Sequence, residues 1–207
     1  MQNQTSDAID LNAYFQRIGY SGECSPTLEA LQAIHQHHAQ AIAFENLNSF
    51  LKQPVLLDAT SLQQKLIYEG RGGYCFEQNL LFRSALSAVG FQVTNLAARV
   101  LWNLPKGTIT PRAHMLLQVN IDAQKYIADV GFGGLTLSAP LSLTPDIEQS
   151  TPHEPFRLIV VDHSYIMQAY IGQEWKSLYC FDLQEQQLPD TVQCQSDLVI
   201  HNKHKRG

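Results

Sequence analysis

One cysteine in this chain has the surroundings of a nucleophile. In Glu69-Gly70-Arg71-Gly72-Gly73-Tyr74-Cys75-Phe76-Glu77-Gln78-Asn79 a glycine-rich turn delivers Cys75 to the start of a helical pattern. Unpaired backbone N–H groups and the positive end of the helix dipole favour a thiolate at such a place, and Arg71 adds a positive charge nearby. A small buried cysteine capping a core helix is the competing explanation; the glycines argue for the nucleophile. Two further residues complete the chemistry if the fold brings them close. An imidazole, His114, would move protons to and from the sulfur, and a carboxylate, Asp129, would hold that imidazole in one tautomer. The other cysteines, Cys24, Cys180 and Cys194, have no activating context, and none of the four forms a C-x-x-C pair. In a reducing compartment they are free thiols.

The elements that must position these residues follow from periodicity. Phe76, Leu80, Phe82, Leu86 and Val89 recur at helical spacing and Gly90 supplies a stop, which predicts a helix of about four turns with Cys75 in its first turn. Upstream, Asp10 opens and Gly19 closes a short amphipathic helix. A second helix starts at Ser25 or Pro26, with Leu28, Leu31 and Ile34 on its apolar side. His35, His37 and His38 stand at its end; there they complement the helix dipole, and without a suitably spaced carboxylate or cysteine no metal site is expected. Glu45 lies among apolar residues in Ala41-Ile42-Ala43-Phe44-Glu45-Asn46-Leu47 and needs a partner. Arg71 is the candidate, in a supporting ion pair.

From Phe91 the period becomes two. Arg112 to Ile121 reads as a strand with Met115, Leu117, Val119 and Ile121 on one face and His114 on the other; Gln124 to Val130 reads as its hairpin partner. A two-residue loop at Ile121-Asp122 sets His114 directly opposite Asp129, and a loop one residue later makes them diagonal neighbours. In either register the Cβ atoms are within roughly 8 Å, inside hydrogen-bonding reach of the two side chains. Local geometry therefore predicts a His–Asp pair. It does not predict that Cys75 meets His114, because that contact joins the helical and β regions. Phe156–Val161, Tyr165–Tyr170 and Trp175–Phe181 add further strands.

Composition bounds the rest. With 207 residues, 44% hydrophobic and 16% charged, the chain can bury a real core. Its net charge of -5 argues against a nucleic-acid or anionic-membrane surface. No apolar run reaches membrane-spanning length, and Met1 to Ser6 lacks the character of a signal peptide, so a cytoplasmic location is expected.

Four motifs in order, Ala43 to Leu47, Arg71 to Asn79, Arg112-Ala113-His114-Met115 and Ala128-Asp129-Val130-Gly131-Phe132-Gly133-Gly134, resemble the arylamine N-acetyltransferase family from about residue 10 to about residue 190. The resemblance implies an α+β, papain-like cysteine transferase: residues 1–90 a helical domain carrying Cys75, and residues 91–192 an antiparallel β-barrel domain carrying His114 and Asp129. It implies acetyl-CoA as co-substrate, no metal, and ping-pong transfer through a Cys75 thioester to an arylamine, hydrazine or N-hydroxyarylamine. Phe132 resembles a residue lining the acceptor pocket. Tyr74 flanks the acceptor or belongs to the core. Gly131, Gly133 and Gly134 either bring backbone N–H groups to the phosphates of CoA or form a bulge and turn. The Cys75 N–H is the expected oxyanion donor, with a second donor unassigned.

Near Gln193 the chain departs from the family. Members continue into a third α/β domain, a lid over the CoA cleft, whereas residues 193–207 read as a short basic tail. The expectation is a protein without the lid, with weaker acetyl-CoA binding, a thioester open to water, and an apolar surface free to pair with a second copy. Two other readings stand beside the transferase: a cysteine hydrolase of acyl thioesters or amides using the same three residues, and a catalytically silent remnant.

Overall fold

Several helices of this chain begin where a side chain accepts an orphan N–H group of the first turn. A computed structural model of the protein describes residues 8–105 and 107–187. In helix α1, Leu11–Ile18, Asp10 accepts the N–H of Ala13 at 3.0 Å and Gly19 closes the helix in the left-handed region at φ 69°. Helix α2, Leu28–Ala41, is capped by Thr27, whose hydroxyl accepts the Ala30 N–H at 3.2 Å. The helix thus starts later than Ser25 or Pro26, at the residue whose hydroxyl caps it. A short α3, Leu47–Phe50, and α4, Ala59–Gln63, follow, and α4 runs into one turn of π-helix over Gln64–Tyr68. Helix α5, Cys75–Val89, ends at Gly90 with φ 110°.

The β region is one antiparallel sheet. Its strands are β1 Gln92–Val100, β2 Arg112–Ile121, β3 Gln124–Ala128, β4 Leu141–Ser142, β5 Glu148–Gln149, β6 Phe156–Val161, β7 Ser164–Ile171 and β8 Glu174–Phe181, in the spatial order β4-β3-β2-β1-β8-β7-β6-β5. The sheet curls so that its two edges meet. Across the seam the Ser142 N–H donates to Gln149 Oε1 at 2.7 Å and Gln149 Nε2 donates to the Ser142 carbonyl at 3.0 Å, so one side-chain amide replaces a strand bond and nearly closes a barrel. The two-residue strands β4 and β5 carry too little periodicity to be read in advance.

Two apolar cores result, and β2 lies between them. Leu96, Leu116, Phe156, Met167, Leu178 and their neighbours fill the barrel. Met115, Leu117 and Val119, with Ala128 and Val130, pack with the helices instead. The two segments of chain therefore share a wall. Because β2 is buried on both faces from His114 to Val119, the face opposite its apolar stripe is sealed as well, and that is the face carrying His114. Among the described residues no helix is long and apolar enough to cross a membrane. The tail expected over residues 193–207 lies outside the described residues.

The glycine turn before α5 is dictated by a close approach. A Cβ on Gly72 would stand 2.0 Å from the Ala43 carbonyl oxygen, and at the next residue the Gly73 N–H donates to Ala43 O at 3.2 Å and the Glu45 N–H to Gly73 O at 3.0 Å. Gly72→Ala should break this backbone pairing and cost about 3 kcal/mol, read as a lower denaturant midpoint. An unchanged midpoint would mean that the turn tolerates a side chain.

Candidate active site

Cys75 owes its position to what surrounds the glycine turn. Glu77, two residues into α5, accepts the Tyr74 N–H at 3.1 Å and takes Lys65 Nζ at 2.7 Å from the π-helical turn. Arg71 forks onto Glu45 Oε1 from Nη2 at 2.7 Å and Nε at 3.1 Å, and reaches Asn48 Oδ1 at 2.7 Å. Desolvation pushes Glu45 up, but Arg71 and Lys65 outweigh it and hold the carboxyl below its ordinary value. Lys65, 3.6 Å from Glu45, joins both carboxylates, a link that sequence reading missed.

Gln78 ties the turn down from inside. Its amide donates to the carbonyls of Ala43 at 2.9 Å, Ile42 at 3.1 Å and Gly73 at 3.2 Å. Its oxygen is left to accept from His38 Nε2 at 2.8 Å, which makes His38 Nδ1 the acceptor for the Tyr14 hydroxyl at 2.8 Å. So His38, like His35, is a buried core residue rather than a partner of the helix dipole. Burial lowers the two to about 4 and about 3, against an ordinary 6.5. His37 instead donates from Nδ1 to the Ile18 carbonyl at 3.1 Å.

These two neutral imidazoles make stability depend on pH with a definite sign. The unfolded chain protonates them near pH 6.5, whereas the folded chain resists until about pH 4 and below, so stability is complete above pH 6.5 and declines as pH falls through that window. The slope is roughly 1 kcal/mol per histidine per pH unit. His114, held above its ordinary value, and Asp129, held below its own, keep the same charge in both states across most of the window. Denaturant unfolding at pH 7 and pH 5 should show the loss, and His38→Gln should reduce it. Equal stability of the wild type at both values would overturn the account.

The hairpin takes the second of its two expected registers. Ile121 pairs with Gln124 and Leu117 with Ala128, so His114 and Asp129 are diagonal neighbours, with Asp129 one residue past the end of β3. His114 Nε2 lies 2.6 Å from Asp129 Oδ2, and both residues are buried. Oδ1 of Asp129 accepts from Asn79 Nδ2 at 3.1 Å and from the Gly131 N–H at 3.0 Å. Asn79 also donates to the Met115 carbonyl at 2.8 Å and accepts the Val130 N–H at 3.2 Å, bracing β2 and the exit of β3 against α5. Desolvation works against charge on both partners. Their attraction outweighs it, raising His114 and lowering Asp129. Cys75 contributes to the rise through a hydrogen bond and its charge, and since Nε2 is taken by Asp129, Nδ1 is the nitrogen left for the thiol. Cys75 Sγ is also 3.8 Å from the Ala113 carbonyl.

Above these groups opens a cavity of about 570 Å³ whose walls include Phe44, Trp102, Phe132, Leu135 and Ile171, with Cys75 and His114 on its floor. Phe132 stands edge-on to the His114 ring at 5.1 Å. Tyr179, unforeseen in the sequence, packs on both rings at 5.0 Å from the barrel side, and burial, then the nearby Asp129 charge, pushes its hydroxyl above the ordinary value. Phe44 and Trp102 were likewise without an assigned role; only the tertiary fold turns them toward the thiol.

Two alternatives left open by the sequence narrow. Tyr74 does not line the cavity: as the residue before α5 it is buried in the helical core, its ring on Phe76 at 5.5 Å. The glycines also divide. The Gly131 N–H is spent on Asp129, and a Cβ there would stand 2.8 Å from Cys75 Cα, so this glycine serves the close approach of two backbones. The Gly133 N–H is spent on Thr136 Oγ1 at 2.9 Å, in a turn where its φ is 94°. That leaves Gly134, on the cavity wall, as the one of the three with no such internal bond among the described residues.

Comparison with known proteins gives one consistent answer. A family model described as N-acetyltransferase matches residues 27–205. The arylamine N-acetyltransferase / N-hydroxyarylamine O-acetyltransferase of Salmonella typhimurium is 47% identical over 182 residues, 88% of this chain and 64% of that protein. The arylamine N-acetyltransferase of Mycobacterium tuberculosis is 42% identical over 86% of this chain and 64% of its own. The solved Salmonella typhimurium structure superposes with a TM-score of 0.87 at 45% identity, covering 91% of this chain and 69% of that one. A Mycobacterium marinum arylamine N-acetyltransferase in complex with CoA superposes at 0.83 with 38% identity, covering 92% and 69%. The chain thus spans about 64% of the length of these curated relatives.

Proposed function

This chain belongs to the arylamine N-acetyltransferase family, and from that premise we propose that it carries an acetyl group from acetyl-CoA to an aromatic amine, hydrazine or N-hydroxyarylamine through a thioester on Cys75. The observation that carries the reading is the convergence of Cys75 and His114, the latter hydrogen-bonded to Asp129, on the floor of one aromatic-walled cavity.

In the first half-reaction His114 Nδ1 takes the thiol proton and the sulfur attacks the acetyl carbonyl carbon. The Cys75 N–H, at the first position of α5 and outside the helix's own ladder, is aimed to bear on the developing oxyanion. The bond from carbonyl carbon to the sulfur of CoA breaks, and that sulfur leaves with the proton from His114. In the second half-reaction the amine nitrogen attacks the thioester and gives its proton to His114, which returns it to Sγ as the carbon–sulfur bond breaks. Asp129 stays ionised throughout and stabilises the imidazolium. Phe132, Phe44 and Trp102 offer flat apolar walls to an aryl acceptor. Glu45 and Arg71 support the nucleophile's turn without touching the cavity floor. For the phosphates of CoA, the Gly134 N–H is the donor retained from the glycine run.

Intact-protein mass spectrometry after brief mixing with acetyl-CoA, followed by a simple arylamine or hydrazine, tests this directly. The expected result is an acetyl adduct that disappears as acetylated amine appears. An adduct that decays equally fast without amine would make the protein a thioester hydrolase, and absence of any adduct at high donor concentration would overturn the reading.

A further inference from the structure

His35 is wholly buried on α2, edge-on to Phe82 at 5.5 Å. Its Nε2 accepts the backbone N–H of Asp129 at 3.3 Å. Because that nitrogen accepts, the proton sits on Nδ1, and Nδ1 is buried with no hydrogen-bond partner among the described residues. An orphaned buried donor costs about 1–3 kcal/mol, which an apolar residue of similar shape would avoid. What the imidazole supplies in return is an acceptor in a place where the sheet has none. The β2–β3 ladder ends at Leu117 and Ala128, and the chain leaves the sheet at Asp129. A buried backbone N–H released there needs a partner, and α2 provides it.

We propose that His35 is a positioning residue for the Cys75–His114–Asp129 site, replacing the strand hydrogen bond that Asp129 gives up and so fixing the main chain from which the carboxylate meets His114. The side-chain end of Asp129 is held by Asn79, Gly131 and His114; His35 holds the backbone end. Together they leave the carboxylate no direction but toward His114 Nε2. The proposal rests on the transferase reading for what the site is used for, and on geometry alone for what His35 does.

The test measures the pH profile of Cys75 alkylation by iodoacetamide, which requires no acetyl-CoA, in three variants. His35→Phe keeps a ring against Phe82 without the acceptor, His35→Asn is polar but too short to reach as Nε2 does, and His35→Gln places an oxygen near the Nε2 position. The expected result is that His35→Phe and His35→Asn alkylate on the order of tenfold more slowly at pH 6, with the low-pH limb of the profile displaced upward, while His35→Gln stays close to the wild-type curve. A wild-type profile in His35→Phe, or in His35→Asn should the phenylalanine variant not fold, overturns the proposal; equal loss in all three variants indicates packing alone and overturns it too. Acetylation of the wild type by acetyl-CoA, measured in parallel, reports on the transferase reading separately, so failure of one is not mistaken for failure of the other.

Discussion

Asparagine in place of Asp129 is expected to leave a folded protein and slow acetyl transfer by about four orders of magnitude, the scale of loss when a nucleophile–histidine–carboxylate site is forced into the wrong tautomer. The geometry explains why folding survives while chemistry does not. Oδ1 of the asparagine can still accept from Asn79 and Gly131, as the aspartate does now. Its amide group then faces His114 Nε2, where the carboxylate oxygen lies 2.6 Å away. An amide there donates, so Nε2 must accept and the ring proton moves to Nδ1. The nitrogen needed to take the Cys75 proton is thereby occupied. Loss of the carboxylate charge also removes the attraction that offsets burial and raises His114, so the imidazolium formed during each half-reaction is no longer supported. Single-turnover acetylation followed by mass spectrometry, beside a thermal melt, reads both effects. A folded Asp129→Asn variant within tenfold of the wild-type rate would remove Asp129 from the mechanism.

Serine in place of Cys75 is expected to abolish the acetyl-enzyme and reduce transfer by more than roughly a thousandfold, because a hydroxyl is a far poorer nucleophile than a thiol paired with the same base. The substitution is nearly isosteric, and the residue is buried in contact with the backbone of the Gly131 turn, so the fold should tolerate it. Cys24 provides the internal comparison. It is exposed and no imidazole hydrogen-bonds to it among the described residues, so reagents reach it freely while the acetyl group should not stay there. Peptide mapping of the acetylated protein should find the label on Cys75, and Cys24→Ser should acetylate as the wild type does. A label mapping to Cys24, or retained in Cys75→Ser, would contradict the assignment.

The histidines of α2 show how a sequence can be misread. Spacing put His35, His37 and His38 near a helix end, where surface histidines complement the dipole. Yet Leu31 and Ile34, already read as the apolar side, lie one turn from His35 and His38 and share their buried face. A polar residue on an apolar stripe is a request for a partner elsewhere in the chain. Gln78, Asn79 and Glu77 make the same point on α5, whose first turns are buried all round. Hydrophobic periodicity has no signal for buried amides that bond to distant backbone.

What the sequence by itself determined was local: the caps of α1 and the stop of α5, the strands from β1 through β3, the Glu45–Arg71 pairing, and His114 beside Asp129. Each depends on residues close in the chain or on complementary charge, so helix period, strand period and turn length suffice. The meeting of Cys75 with His114, the bracing of Asp129 by Asn79 and His35, the aromatic walls of the cavity and the inward turn of Tyr74 were decided only by the tertiary structure. These contacts join positions dozens of residues apart, and they exist because β2 is packed between the helices and the barrel interior, with Gly131 bare enough to let the chain lie against Cys75. Close packing of two dissimilar surfaces selects one relative placement, and no pattern along the chain encodes that placement locally.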